Sequence, residues 1–387
     1  MGFEKPSSIQ EMALPYIIQR PKENLIAQAQ SGSGKTVAFC LGLLEKVDTM
    51  QPQPQALILV PTRELAIQCL EKTLLPMAGA MVPPLRVMLA LGGTTLARGQ
   101  KIMDHVVIGT PGKMEDWMRR GALSTRAIRV FVLDEADQML AMGSFPEDCQ
   151  RIRKYISQPH QSLLFSATFT DEVVEFAKRI IPPPINEIRL KSDEELVLAE
   201  ITQLWLDLRA AHHSARMERL QELYGMLEMG QSIVFCHTKR GCDEVAYTLQ
   251  REGFMCSNLH GDLRGDERDD CMKAFRDGLS KVLITTNVLA RGVDVPAVTL
   301  VVNYDMPYLG RSKDPDYESY LHRIGRTGRF GRKGVAINFV QDNDAYSVLE
   351  QIERHFSPSK QMIRRAPDDM EELTNLVGDI LSSGRVA

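Results

Sequence analysis

No run of apolar residues in the chain approaches the roughly 20 that a helix needs to cross a bilayer, so the sequence pattern excludes a helical membrane protein. Its opening residues, MGFEKPSSIQ, hold no apolar core of the kind a secretory signal carries. No Cys-x-x-Cys pair occurs and no Asn-x-Ser/Thr sequon. The seven cysteines (40, 69, 149, 236, 242, 256 and 271) are odd in number and scattered, which reads as reduced thiols of the cytosol or nucleus, not a disulfide framework or a zinc site. A surplus of positive charge is also missing: 46 Lys and Arg face 50 Asp and Glu, for a net charge of −4. That argues against a whole-surface polyanion binder and confines any nucleic-acid contact to a local patch. His212 and His213 are adjacent, and neighbouring helix positions do not face one site, so no metal role is expected of them. With 387 residues, 44% hydrophobic and 25% charged, the composition is that of an ordinary globular protein long enough for two or three domains.

VFVLDEADQM, residues 130–139, sets four apolar residues before three carboxylates, Asp134, Glu135 and Asp137. A short run rich in β-branched and aromatic residues reads as a parallel-sheet strand buried on both faces. Acidic residues are routine in a helix's first turn, and QML begins a plausible helix, which is one reading of the cluster. The other is a site for something positive, because open parallel sheets bind ligands beyond the carboxyl ends of their strands. Upstream, ENLIAQAQSGSGKTVAFCLGLLEKV (23–47) gives a strand, a loop of Gly and Ser, and a helix beginning near Lys35. That order matches a phosphate loop in which backbone N–H groups wrap phosphates, Lys35 reaches the outer ones and Thr36 ligates magnesium. The match is imperfect, since Ala29 stands where the first glycine belongs. Acidic residues on a neighbouring strand end can supply the metal partner and the base that such a loop lacks.

Strands and helical patterns alternate from residue 25 to 181, as right-handed βαβ crossovers require. A helix is expected over 63–75. PPPINEIRLKSDEELVLAE (182–200) breaks the rhythm and reads as a strand running into a linker; alternation resumes at 201 and continues to 340. The expected organisation is a first domain over 1–191, a linker over 192–200, a second domain over 201–365 and an acidic tail over 366–387. Arg323, Arg326, Arg329, Arg332 and Lys333 crowd into LHRIGRTGRFGRKG, either as solvated surface charge or as a nucleic-acid patch.

The chain resembles the DEAD-box RNA helicases over nearly its whole length. Ten motifs occur in that family's order: FEKPSSIQ (3–10), AQSGSGKT (29–36), PTRELA (61–66), GG (92–93), TPGK (110–113), DEAD (134–137), SAT (166–168), VFCHTK (234–239), ARGVD (290–294) and HRIGRTGR (322–329). The resemblance implies an α/β fold of two tandem RecA-like domains, each a mostly parallel sheet flanked by helices, with the nucleotide cleft between them. It implies ATP and Mg2+ as cofactors. Phe3 and Gln10 are then nucleotide contacts, Gln10 to adenine's polar edge; Ser31, Gly32, Ser33, Gly34, Lys35 and Thr36 hold phosphates; Asp294 meets the ribose. Asp134 binds magnesium with Thr36, Glu135 deprotonates the attacking water, and Arg326 and Arg329 act as fingers on the γ-phosphate. Ser166, Thr168, Asp137 and His322 form a polar relay between hydrolysis and closure. RNA backbone contacts are implied for Pro61, Thr62, Arg63, Gly93 and Thr110, and for Arg268 and Thr286. Such contacts go to phosphate and 2′-hydroxyl groups and carry little sequence information.

Three departures from the family pattern stand out. The family places an adenine-stacking aromatic before its first motif, and the sequence begins at Met1-Gly2-Phe3. Either the sequence is a fragment of a longer chain, or the contact is lost, which is worth about 0.5–1.5 kcal/mol, or up to about tenfold in ATP affinity. Gly265 replaces a usual glutamine, and Asn287 a usual aspartate. Asn287, with the long connection NYDMPYLGRSKDPDYESYLHRIGRTGR, resembles the branch associated with messenger RNA export at the nuclear pore. In that branch an export cofactor carrying inositol hexakisphosphate stimulates the ATPase, and the N-terminal domain docks on a pore protein. The expectation is therefore a monomeric, RNA-stimulated ATPase of the cytoplasm, with the pore and nucleus as further locations, that separates strands locally or remodels ribonucleoprotein. A general or translation-initiation-type member of the family, or an ATP-gated RNA clamp with little turnover, is the alternative.

Overall fold

The computed structural model describes residues 5–29, 32–79, 81–140, 142–190, 200–212, 214–226, 230–287, 298–310, 312–328, 333–357 and 361–383. Four expected site residues, Phe3, Ser31, Asp294 and Arg329, lie outside this set, as does nearly all of the expected linker. The chain divides into two units, Met1–Ser192 and Asp193–Ala387.

In the first unit seven strands are described: β1 Asn24–Gln28, β2 Ala56–Leu59, β3 Val87–Ala90, β4 Val106–Gly109, β5 Val130–Leu133, β6 Gln161–Ser166 and β7 Ile185–Arg189. They pair in parallel in the order β3-β4-β2-β5-β6-β1-β7. The central strands are buried throughout, so successive side chains feed opposite cores. Val130 and Val132 join Ile58, Phe165 and Phe39 on one face, while Phe131 and Leu133 join Leu57, Leu164 and Trp117 on the other. Helices α1 Ser8–Gln19 and α2 Lys35–Leu44 cover the first face, where Gly42 leaves no room for a Cβ against Ile17. The helix expected over 63–75 is instead α3 Arg63–Gln68, a π-helical turn Cys69–Leu74 and a short α4 Leu75–Ala78. Helices α5 Pro111–Arg119, α6 Ala136–Leu140, α7 Phe145–Tyr155 and α8 Asp171–Ile180 follow, each contributing buried side chains to the second face.

The second unit repeats the plan. Strands β8 Ile201–Asp207, β9 Gln231–Phe235, β10 Cys256–Leu259, β11 Val282–Thr285 and β12 Val298–Asn303 are followed by a two-stranded hairpin, β13 Tyr308–Leu309 and β14 Asp314–Pro315, and then by β15 Gly334–Val340 and β16 Ile363–Arg365. The seven-stranded sheet is parallel in the order β10-β11-β9-β12-β15-β8-β16. Its helices are α9 Ala215–Met226, α10 Lys239–Arg251, α11 Gly265–Arg276, α12 Tyr317–Ile324, α13 Asn343–Phe356 and α14 Met370–Ser382. Helix α14 falls in the expected acidic tail, yet Met370, Leu373 and Val377 are buried in the core that holds Leu204, Val335 and Ile337. Among the described residues no helix is long and apolar enough to cross a membrane.

Candidate active site

The loop after β1 leads directly into α2. Gly34, at its end, has φ +97°, a left-handed conformation that favours glycine. A Cβ at Gly34 would run into Gln10 Nε2 and come within 2.9 Å of Ser7 Oγ. Gln10 braces the loop from α1: its Nε2 donates to the Gly34 carbonyl at 3.2 Å, and its Oε1 accepts from the Ser7 N–H at 3.0 Å. The amide expected to face adenine is thus engaged by the loop and by its own helix start. Gly32 is exposed; Ser33 and Thr36 are half-buried beside it.

Lys35 opens α2 with a side chain only 4% exposed, and its Nζ lies 3.3 Å from Glu135 Oε1. Burial works against its charge, but the carboxylates of Glu135, Asp134 and Asp137 outweigh that and hold its pKa above the ordinary value. Asp134, at the carboxyl end of β5, is pushed up to about 7 by burial and by the charges of Glu135 and Asp137, in spite of Lys35. Three carboxylates with one ammonium form a site that a further cation would relieve. Glu135 adopts φ +53°, a left-handed backbone that is uncommon for a non-glycine residue. Its N–H donates to Asp134 Oδ1 at 3.0 Å.

The sheet order corrects one expectation. The acidic strand β5 is not the neighbour of β1; β6 lies between them, and its end supplies Ser166. The Asp137 N–H donates to Ser166 Oγ at 3.2 Å, Thr168 Oγ1 donates to Asp137 Oδ2 at 3.1 Å, and the Ala29 N–H donates to the Ser166 carbonyl at 3.0 Å. The phosphate loop, the acidic cluster and the Ser-Ala-Thr segment are therefore joined through β6.

The first unit's expected RNA contacts gather on three adjacent strands, β2, β4 and β3, at the same carboxyl edge. Pro61 and Thr62 follow β2, and Thr62 Oγ1 caps α3 by accepting from the Leu65 N–H at 3.3 Å. Arg63 Nη1 donates to the Gly92 carbonyl at 3.2 Å, next to Gly93. The Thr110 N–H donates to the Ala90 carbonyl at 3.1 Å, which ties the ends of β4 and β3.

In the second unit Arg268 lies on α11 after β10, and Thr286 follows β11, again on neighbouring strands. His322 and Arg326 are buried around α12, where Arg326 Nε donates to the His322 carbonyl at 3.0 Å. The solvated-surface reading of the basic cluster holds for exposed Lys333 but not for Arg323 and Arg326, which are 0% and 4% exposed. Arg323, expected only as a member of that cluster, is a buried hub: Nε and Nη2 donate to Asn287 Oδ1 at 2.9 and 2.6 Å, and Nη1 to Asn303 Oδ1 at 3.1 Å and to the Asp305 carbonyl at 2.7 Å. Burial pulls its pKa down to about 10 despite Asp305 and Asp316. Asn287, where the family usually has aspartate, is thus the neutral acceptor of a buried guanidinium. Nothing in the local sequence separates this arginine from a solvated one.

A phosphate loop whose lysine meets a strand-end glutamate, on a parallel sheet and followed by a second sheet of the same plan, defines a nucleoside-triphosphate-hydrolysing protein of tandem-domain type. The chain matches the DEAD/DEAH box helicase family over residues 7–176 and the helicase conserved C-terminal domain over 215–331. It is 46% identical to the ATP-dependent RNA helicase DBP5 of Mycosarcoma maydis, over 98% of this chain and 81% of that one. It is 44% identical to the ATP-dependent RNA helicase DDX25 of Bos taurus, over 97% and 76%. The fold superposes on S. cerevisiae Dbp5 bound to RNA and ADP BeF3 with a TM-score of 0.90 at 42% identity, covering 98% of this chain and 94% of that one. The chain belongs to the DEAD-box family of ATP-dependent RNA helicases.

Proposed function

We propose that this chain is an RNA-stimulated ATPase that opens short duplexes or strips protein from RNA in messenger RNA export, working in the cytoplasm at the nuclear pore. The observation that carries the hydrolytic part is the buried Lys35–Glu135 pair, at 3.3 Å, set against Asp134 and the Ser166–Asp137–Thr168 network. Lys35, with Gly32, Ser33 and Gly34, takes the phosphates. When ATP enters, its γ-phosphate replaces Glu135 as the partner of the ammonium, and Glu135 becomes the acceptor of a water proton. Thr36 and Asp134 would hold magnesium, which supplies positive charge to the phosphate oxygens. Burial, together with the charges of Glu135 and Asp137, raises the Asp134 pKa, and that strain fits a site made for such a cation. Arg326 and Arg329 are the residues we assign to the charge that builds on the transferring phosphoryl group. His322 remains assigned to the relay with Ser166, Thr168 and Asp137, and Asp294 to the ribose.

Pro61, Thr62, Arg63, Gly93, Thr110, Arg268 and Thr286 are assigned to the RNA backbone, which makes binding insensitive to base sequence. The export setting rests on the likeness to DBP5. A single-substitution variant of S. cerevisiae Dbp5 has been solved bound to a variant of Gle1 and IP6, with a TM-score of 0.77 to this fold at 41% identity, and also with Nup159 and ADP. The test is ATP turnover with and without a Gle1 homologue loaded with IP6. A several-fold rise supports the export reading; no rise, with RNA stimulation intact, returns the chain to the general helicases.

A further inference from the structure

The hairpin β13–β14 and the carboxyl end of β9 place two rings in contact: His237 and Tyr308 stack with centroids 4.2 Å apart and planes inclined by 20°. We propose that this stacked pair is a platform for one unpaired nucleobase of bound single-stranded RNA, a base contact added to the backbone contacts of Arg268 and Thr286. It rests on the RNA-helicase reading above.

The position follows from strand order. Strands β11, β9 and β12 are consecutive neighbours, and Thr286, His237 and Tyr308 come after their respective carboxyl ends. The Cys236 N–H donates to the Thr285 carbonyl at 2.9 Å, and the Asp305 N–H to the Phe235 carbonyl at 3.1 Å, so the three ends stay in step. Adjacent strands are about 4.8 Å apart, which puts the ring pair within one or two strand spacings of Thr286. A chain of nucleotides held at Thr286 has the pair within reach.

The platform is preorganised. Tyr308 pairs with Pro315 across the hairpin, and the Asp316 N–H donates to the Pro307 carbonyl at 3.2 Å. Lys313 Nζ lies 5.9 Å from the Tyr308 ring centroid and pairs with Asp344 at 2.6 Å. The His237 N–H donates to Asp305 Oδ2 at 2.8 Å. Tyr308 is half-buried against the core around Met306, whereas His237 is exposed. Desolvation, with Arg323 nearby, lowers the His237 pKa against the opposing pull of Asp305, so the imidazole presents a neutral aromatic face at physiological pH. Lys239, paired with Asp262, is exposed two residues further on. Rings with cations beside them are the combination by which proteins bind single strands without sequence preference, because every base has a π-face.

The experiment uses the full chain, a non-hydrolysable ATP analogue and short all-uridine RNAs carrying 2-aminopurine, or an abasic unit, at one position in turn. One position should lose fluorescence on binding, and the abasic unit there should weaken affinity at least about fivefold, the low end for a base stacked on an aromatic side chain. Tyr308→Leu should abolish both effects, while Tyr308→Phe keeps both and guards against a folding defect. Quenching at no position, or quenching unchanged in Tyr308→Leu, overturns the platform. Absence of any RNA binding by the unsubstituted chain fails the helicase reading itself, and the platform falls with it.

Discussion

Replacing Asp134 with asparagine should make the nucleotide-free protein more stable, although it destroys a residue at the centre of the site. Asp134 is 5% exposed, and its carboxyl is raised from 3.8 to about 7. That is about three pK units at about 1.4 kcal/mol each, so keeping the charge costs up to about 4 kcal/mol, with the Lys35 attraction already counted. The sign with pH follows from linkage. A folded-state pKa above the unfolded one means that the folded chain holds the proton more tightly, so this stabilisation is full below about pH 4 and is lost as pH rises through about 7. Asp134→Asn removes that titration, and its Oδ1 can still accept from the Glu135 N–H. The gain should be on the order of 2–4 kcal/mol at pH 8 and shrink toward zero near pH 4. Urea unfolding of the full chain in a Trp205→Phe background, with a chelator present, reads the first unit through buried Trp117. The midpoint at pH 8 should rise by roughly 1–2 M, taking a slope of about 2 kcal/mol per molar. An unchanged or lower midpoint at pH 8, or a gain that grows as pH falls, would show that the carboxylates are not under strain.

Other substitutions probe separate parts. Glu135→Gln should keep ATP and RNA binding while hydrolysis falls about 10²–10⁴-fold in single-turnover assays, and normal turnover would remove Glu135 as the base. Gly34→Ala should weaken ATP binding about tenfold or more, because it strains a φ of +97° and drives a methyl group into Gln10; an unchanged nucleotide titration would contradict that packing. Asn287→Asp should raise the stability of the second unit by on the order of 1 kcal/mol, by giving buried Arg323 a charged acceptor; it is read through Trp205 fluorescence, and a lower midpoint would mean that the added desolvation wins.

The elements that the sequence made legible are those whose cause is local. Val130 to Leu133 had to be a buried strand, and Gly34-Lys35-Thr36 had to end a loop and open a helix, because period, glycine and flanking residues all agree. Strand order is not local, which is why β6 between the phosphate loop and the acidic strand was invisible until the sheet was assembled. Burial of charge is not local either. Arg323 reads as surface until Asn287, Asn303 and Phe235 close around it, and the acidic tail gives no sign of packing until Leu373 and Val377 meet the sheet. The left-handed Glu135 has no signal in composition, since only glycine advertises a positive φ.

The central claim is that this chain turns over ATP in response to RNA. Steady-state hydrolysis by the protein, measured alone, with single-stranded RNA and with matched single-stranded DNA, tests it most directly. Stimulation by RNA and not by DNA is the expected result. Hydrolysis that ignores RNA, or that responds equally to DNA, would contradict the account.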